Sequence, residues 1–172
     1  NYNDGWRIIK EMGCPTQNIY GGLAPIGNEG WMSGYNNYHS AMSNVVYNYY
    51  NIDASTPEGL NTLKGWFLNH LNDSLSVGGL AVFSCGSSDM VVKHLPLGTP
   101  YQTDFIVTEW DESVDHAMTF VGYNDSIRYD YNGDGSYTND VDINNDGVLN
   151  MADWEIGGMI FTNSWGVGWG DN

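Results

Sequence analysis

Apolar positions recur at helical spacing in the front of the chain and at strand spacing further back. Thr56 is placed to cap a helix and Pro57 fits its first turn. Leu60, Leu63, Phe67 and Leu71 then recur on one face until Asn72-Asp73-Ser74 ends the pattern. A shorter stripe, Trp6-Ile9-Met12, runs into Gly13, which reads as a C-cap, and Pro15 follows. The Gly, Asn and Pro content between Gly21 and Gly34 predicts a loop. The Tyr- and Asn-rich stretch Tyr35 to Tyr50 fits helix and strand alike. Val77 to Cys85, read as V-G-G-L-A-V-F-S-C, predicts an apolar strand. A Gly-, Ser- and Pro-punctuated loop comes next, then a strand around Phe105 to Glu109. The expected fold class is α+β.

At 172 residues, 41% hydrophobic and 14% aromatic, the chain has globular rather than disordered composition. It holds no run of eighteen apolar residues, which argues against a membrane span, and no signal peptide. A formal charge of -16 would repel phosphates and argues against nucleic acid as a partner. The charge is uneven. From Asp125 to Glu155, eight of the 21 acidic residues face one base, Arg128. Such density repels itself unless a cation is bound.

Candidate chemistry centres on Val114-Asp115-His116-Ala117 and Asn163-Ser164-Trp165-Gly166-Val167-Gly168-Trp169-Gly170. An imidazole near its ordinary pKa of about 6.5 can take a proton from a thiol and return it to a leaving amine, provided a neighbour fixes its tautomer. Asn163 is a suitable neighbour, because its carbonyl can accept from one ring nitrogen of His116 and leave the other to face a thiolate. The indole of Trp165 can cover such a bond and exclude water. His39, His70 and His94 share no metal-ligand spacing and read as structural or exposed.

The stretches V-D-H-A-M-T-F-V-G-Y (Val114 to Tyr123) and I-F-T-N-S-W-G-V-G-W-G (Ile160 to Gly170) resemble the strands that carry the catalytic His and Asn of papain-like cysteine peptidases. Val77 to Cys85 is similar to the first barrel strand of that family's second domain. Asn3-Asp4-Gly5-Trp6 is similar to its Gly-Gly segment lining the substrate cleft, with Asp4 in place of the first Gly. The resemblance implies His116 and Asn163 as catalytic residues, Trp165 as their cover, and Val114, Ala117 and Gly5 as substrate-binding residues. Residues 1–76 would be the remainder of a helical first domain. Residues 77–172 would be a β-barrel-like second domain, with Phe105 to Glu109 pairing with the His-bearing strand.

The family's nucleophile, in a Gln-then-Cys-x-x-Cys-aromatic run opening a helix, has no counterpart here. Cys14 follows a helix C-cap, the wrong end of the dipole for a thiolate. Cys85 ends an apolar strand and reads as a small buried hydrophobe. A Cys14–Cys85 disulfide is compatible with two cysteines but is not implied by them. In the family further strands follow Trp-Gly, so the expectation is a fragment whose catalytic Cys lies in another segment or chain.

The acidic stretch has cation-loop spacing. Asp142, Asn144, Asp146, Asn150 and Asp153 occupy loop positions 1, 3, 5, 9 and 12, with Gly147 at 6 and the Val148 carbonyl at 7. This resembles the calcium loop of dockerin modules. Asp130, Asn132 and Asp134 repeat its first half, but position 12 of that loop is Val141, so Asp140 or Asp142 would have to close it. The loops abut with no room for a helix between them, which excludes a paired EF-hand and favours a tandem, thrombospondin-like ribbon. The competing reading is a solvated Asx-rich turn. In the family only a short hairpin joins the His and Asn strands, so about 125–155 is an insertion that structural Ca2+ would stiffen.

The expected function is a secreted or cell-surface cysteine endopeptidase acting on a peptide or protein substrate. The alternative is a catalytically inactive, calcium-stabilised binding or adhesion domain of the same fold.

Overall fold

The computed structural model describes residues 2–16, 19, 34–72, 79–166 and 168–170. Residues 21–33 of the expected Gly21–Gly34 loop, Asp73-Ser74, Val77-Gly78 and Val167 lie outside the described residues. Contacts divide the chain into two units, Asn1–Asn51 and Ile52–Asn172, each taken by itself below.

In the first unit, α1 spans Tyr2–Met12 and α2 spans Tyr35–Ala41. α1 stops where its C-cap glycine predicts: Gly13 has φ 75° and its N–H donates to the Ile9 carbonyl at 2.9 Å. The ambiguous Tyr35–Tyr50 stretch divides into helix α2 and a segment without regular structure. Asn44 clamps the chain after α1. Its carbonyl accepts from the Cys14 N–H at 3.1 Å and its Nδ2 donates to the Cys14 carbonyl at 3.2 Å. A Cβ on Gly13 would lie 1.9 Å from the Ala41 carbonyl oxygen. Gly13→Ala therefore combines left-handed strain with a backbone clash, and a loss of about 2 kcal/mol or more is expected in urea unfolding. An unchanged midpoint would contradict this packing.

In the second unit, α3 spans Pro57–Asn69, and Thr56 caps it by accepting the Gly59 N–H at 3.1 Å. Leu63 is buried. The helix ends earlier than the apolar spacing predicts. His70 and Leu71 both take left-handed conformations, and Leu71 is 45% exposed, so it leaves the apolar face. Trp66 holds this turn, with its ring 5.4 Å from His70 and its Nε1 donating to the Leu80 carbonyl at 3.1 Å.

Five strands follow: β1 Ala81–Cys85, β2 Val91–His94, β3 Phe105–Glu109, β4 His116–Arg128 and β5 Ile156–Thr162. β1, β4 and β5 form an antiparallel sheet in the order β1-β4-β5, and β2 pairs with β3 in a second sheet. Two expectations change here. Part of the expected loop after Ser84 is strand β2, and β3 pairs with β2 rather than with the His-bearing β4. Local closure explains both. Leu95 is buried, its N–H donates to the Asp104 carbonyl at 2.9 Å and its carbonyl accepts from Thr103 at 3.0 Å. His94 Nδ1 meets the Thr103 carbonyl at 2.6 Å.

The main sheet carries an aromatic cluster. Phe83 stacks on Phe120 with centroids 3.8 Å apart, and Phe161 meets Phe83 edge-on at 6.0 Å. Trp110 and Trp169 extend it through Phe161 at 5.7 and 6.0 Å. Part of the Asn-bearing motif is thus packing. β4 slips register against β5 twice, and the pairing persists to Arg128↔Ile156, where the acidic segment leaves the sheet. α3 lies against β4 through Lys64, which pairs with Asp125 and sits 5.3 Å from the Tyr123 ring centroid. Helices with two small antiparallel sheets make an α+β architecture. No helix among the described residues is long and apolar enough to cross a membrane.

Candidate functional site

His116 opens β4, and Asn163 follows the last residue of β5. The β4–β5 pairing brings them together, and His116 Nε2 lies 2.8 Å from Asn163 Oδ1. The same oxygen accepts the Ser164 N–H at 2.7 Å. An atom receiving a backbone N–H must be the amide oxygen, so the facing ring nitrogen must be the donor. In the neutral ring this selects the Nε2–H tautomer, with the lone pair on Nδ1, and Nδ1 has no hydrogen bond among the described residues. The Trp165 ring stacks on His116 with centroids 5.1 Å apart and planes 22° from parallel, and Trp169 meets Trp165 edge-on at 5.6 Å. Asn163 Nδ2 is enclosed and has no partner among the described residues.

The loop before His116 is tied down by Asp115. Its Oδ1 accepts the Ser87 N–H at 2.7 Å and the Ser87 hydroxyl at 3.1 Å, and its Oδ2 accepts the Ser88 hydroxyl. A Cβ on Gly86 would lie 2.1 Å from the Asp111 carbonyl oxygen, so the two loops leave no space there. The Ser88 hydroxyl, then the Ser87 N–H, hold the Asp115 carboxyl below its ordinary value. A depressed folded value means a stabilisation complete above the unfolded pKa, about 3.9, and lost as pH falls through the lower folded one. Asp115→Ala should therefore weaken the acid dependence of the urea midpoint, and an unaltered dependence would refute this role.

Both cysteines are free. Cys85 is the cross-strand partner of His116, but it is buried and that burial, with the charge of Asp115 adding, pushes its thiol up. Its neutral form is favoured. The Cys14 thiol donates to the Asn44 carbonyl at 3.6 Å. Of the expected substrate residues, Val114 is exposed just before β4. Ala117 lies opposite Ser84 and alternates to the other side of the sheet from His116. Gly5 lies within α1 of the first unit.

The acidic segment forms two loops with matching internal bonds. In the first, Asp130 Oδ2 accepts Gly135 N–H at 2.9 Å, Asn132 Oδ1 accepts Asp134 N–H at 2.9 Å, and Asp134 Oδ1 accepts Ser136 N–H at 2.7 Å. In the second, Asp142 Oδ2 accepts Gly147 N–H at 2.9 Å, Asn144 Oδ1 accepts Asp146 N–H at 2.8 Å, and Asp146 Oδ1 accepts Val148 N–H at 2.7 Å. Asn150 and Asp153 cap a 3-10 turn at Met151–Asp153. Asp140 accepts the Thr138 hydroxyl. The fit of a cation is clearest in the second loop, where Asp142 Oδ1 is wholly enclosed and accepts nothing. Among the described residues no three His, Cys, Asp or Glu side chains form a metal cage by themselves. The loops would add Asn oxygens and backbone carbonyls, including that of Val148.

A cavity of about 740 Å³ lies elsewhere in the second unit, lined by Val92, Leu95, Trp110, Phe120, Ile127 and Phe161 among others; neither His116 nor Asn163 lines it. No family model, curated protein or solved structure matches the chain.

Proposed function

We propose that the chain is the larger part of a secreted or cell-surface papain-like cysteine endopeptidase whose nucleophilic Cys comes from another segment or chain. The observation that supports this most is the 2.8 Å His116–Asn163 hydrogen bond, which leaves Nδ1 as a base. The thiol gives its proton to Nδ1 and the thiolate attacks the peptide carbonyl. As the C–N bond breaks, His116 returns the proton to the amine. Water, deprotonated by His116, then cleaves the thioester and restores the thiol. Asn163 orients the ring without carrying a proton, and Trp165 shields the pair. By the resemblance, Val114 and Ala117 would favour an apolar side chain in the substrate.

Ca2+ would be held by Asp142, Asn144, Asp146, Val148, Asn150 and Asp153, and by Asp130, Asn132 and Asp134 in the first loop. Its role is structural: bound, it supplies positive charge that joins carboxylates otherwise repelling one another, and thiol proteolysis requires no Lewis acid.

The burial of Cys85 and the bonding of Cys14 also favour a second reading, a catalytically inactive binding or adhesion domain of this fold. The sequence preceding Asn1 separates the two. Gln followed by Cys-x-x-Cys-Trp supports the enzyme, whereas Ser or Gly at that Cys supports the binder. The 172-residue chain alone is expected to show no peptidase activity. Thiol-dependent hydrolysis by it, abolished in Cys14→Ser, would overturn the assignment.

A further inference from the structure

We propose that the acidic segment binds two calcium-class cations and that the first is closed by Glu155, reaching in from the start of β5, instead of by a twelfth-position residue. The inference rests on the calcium reading above and adds a ligand to it.

Asp153, the twelfth residue of the second loop, shows what a closing carboxylate does here. Its Oδ1 accepts the N–H groups of Ile143 at 3.2 Å and Asn144 at 3.4 Å, positions 2 and 3, and its Oδ2 accepts that of Asn150 at 2.9 Å, position 9. Glu155 repeats this on the first loop. Its Oε1 accepts the N–H of Tyr131 at 2.8 Å, position 2, and its Oε2 accepts that of Thr138 at 3.1 Å, position 9. The first loop thus has a closing carboxylate 25 residues after its first ligand, from the residue that precedes β5.

Burial and charge point to a cation independently of this pattern. Asp153 is 0% and Glu155 2% exposed. The ion pairs among the described residues, Arg7–Glu11 and Lys64–Asp125, involve neither. Arg128, the one base of the segment, gives its Nη1 to the Asp125 and Ile127 carbonyls. Buried carboxylates are ordinarily paired with a positive charge or bound to a metal, and these lack a basic side-chain partner. The enclosed, unpartnered Asp142 Oδ1 is a third oxygen in want of a cation.

Glu155 also joins the loop to the sheet. Its N–H donates to the Thr138 carbonyl and Asn139 Oδ1, both at 3.0 Å, and its carbonyl accepts from Tyr129 at 3.0 Å. A cation on its carboxylate would hold together the end of β4 and the start of β5, the strand that leads to Asn163.

Calorimetric titration of the chelator-stripped chain with calcium chloride tests this. The wild type should bind two ions, Glu155→Gln one, Asp146→Ala one and the double variant none. Two ions bound to Glu155→Gln with unchanged affinities would overturn the inference. A single ion in the wild type that survives Glu155→Gln would overturn it too, while leaving the second loop standing. No binding by the wild type would instead sink the calcium reading itself. Should Glu155→Gln fail to fold, Glu155→Asp decides: it keeps the charge but withdraws the carboxylate by one methylene. A first site at least tenfold weaker is expected, with the second unchanged, and two unaltered sites would refute the role.

Discussion

His116→Ala should abolish peptide hydrolysis by the complete protein, a loss of about a thousandfold or more in kcat. In the proposed mechanism the ring would carry the proton in both half-reactions. Asn163→Ala should cost less, by roughly two orders of magnitude, because orienting a base matters less than being one. The Nε2–Asn163 bond also makes a prediction about the kind of loss. Without the Oδ1 acceptor the ring can rotate or change tautomer, so kcat should fall while KM stays nearly constant. Undiminished turnover in His116→Ala would sink the papain-like reading. A pure KM effect in Asn163→Ala would show that the pair binds substrate instead of performing chemistry.

Calcium should raise the melting temperature without entering the reaction. A ligand that binds only the folded state stabilises it by about 2.7 kcal/mol at a hundred times its dissociation constant. For a chain of this size that corresponds to roughly 5 to 10 °C for each bound ion. Asp146→Ala should remove the share of the second loop, about half of the rise, because Asn144 and Asn150 cannot replace its charge. Turnover per folded molecule should change little when chelator is added at low temperature. A melting curve indifferent to calcium would return 130–155 to the status of a solvated Asx-rich turn. Loss of turnover before any loss of structure would mean that the segment acts on the reaction.

The sequence made some of this structure legible and concealed the rest for physical reasons. Thr56-Pro57 and Gly13 marked a helix start and a helix end, because capping depends on one or two residues with distinctive backbone behaviour. The end of α3 was hidden, since nothing in His70-Leu71 announces two left-handed residues in succession. The β2–β3 pairing was hidden as well. V-V-K-H is too short to show a period, and the bonds of Leu95 that close the hairpin depend on distant neighbours. At the candidate site, the approach of His116 to Asn163 was legible because both stand in local motifs. The Asp115 clamp on Ser87 and Ser88 was not, as it links positions 27 and 28 residues apart. The bonds of Glu155 to the Tyr131 and Thr138 N–H groups were hidden for a similar reason, as they link positions 24 and 17 residues apart.

Thiol labelling of the complete protein tests the central claim most directly. Stoichiometric iodoacetamide during peptide turnover, followed by mass spectrometry, should abolish activity by modifying one cysteine that is neither Cys14 nor Cys85, and His116→Ala should slow that modification sharply. Activity that survives full alkylation, or inactivation that maps to Cys14 or Cys85, would contradict it.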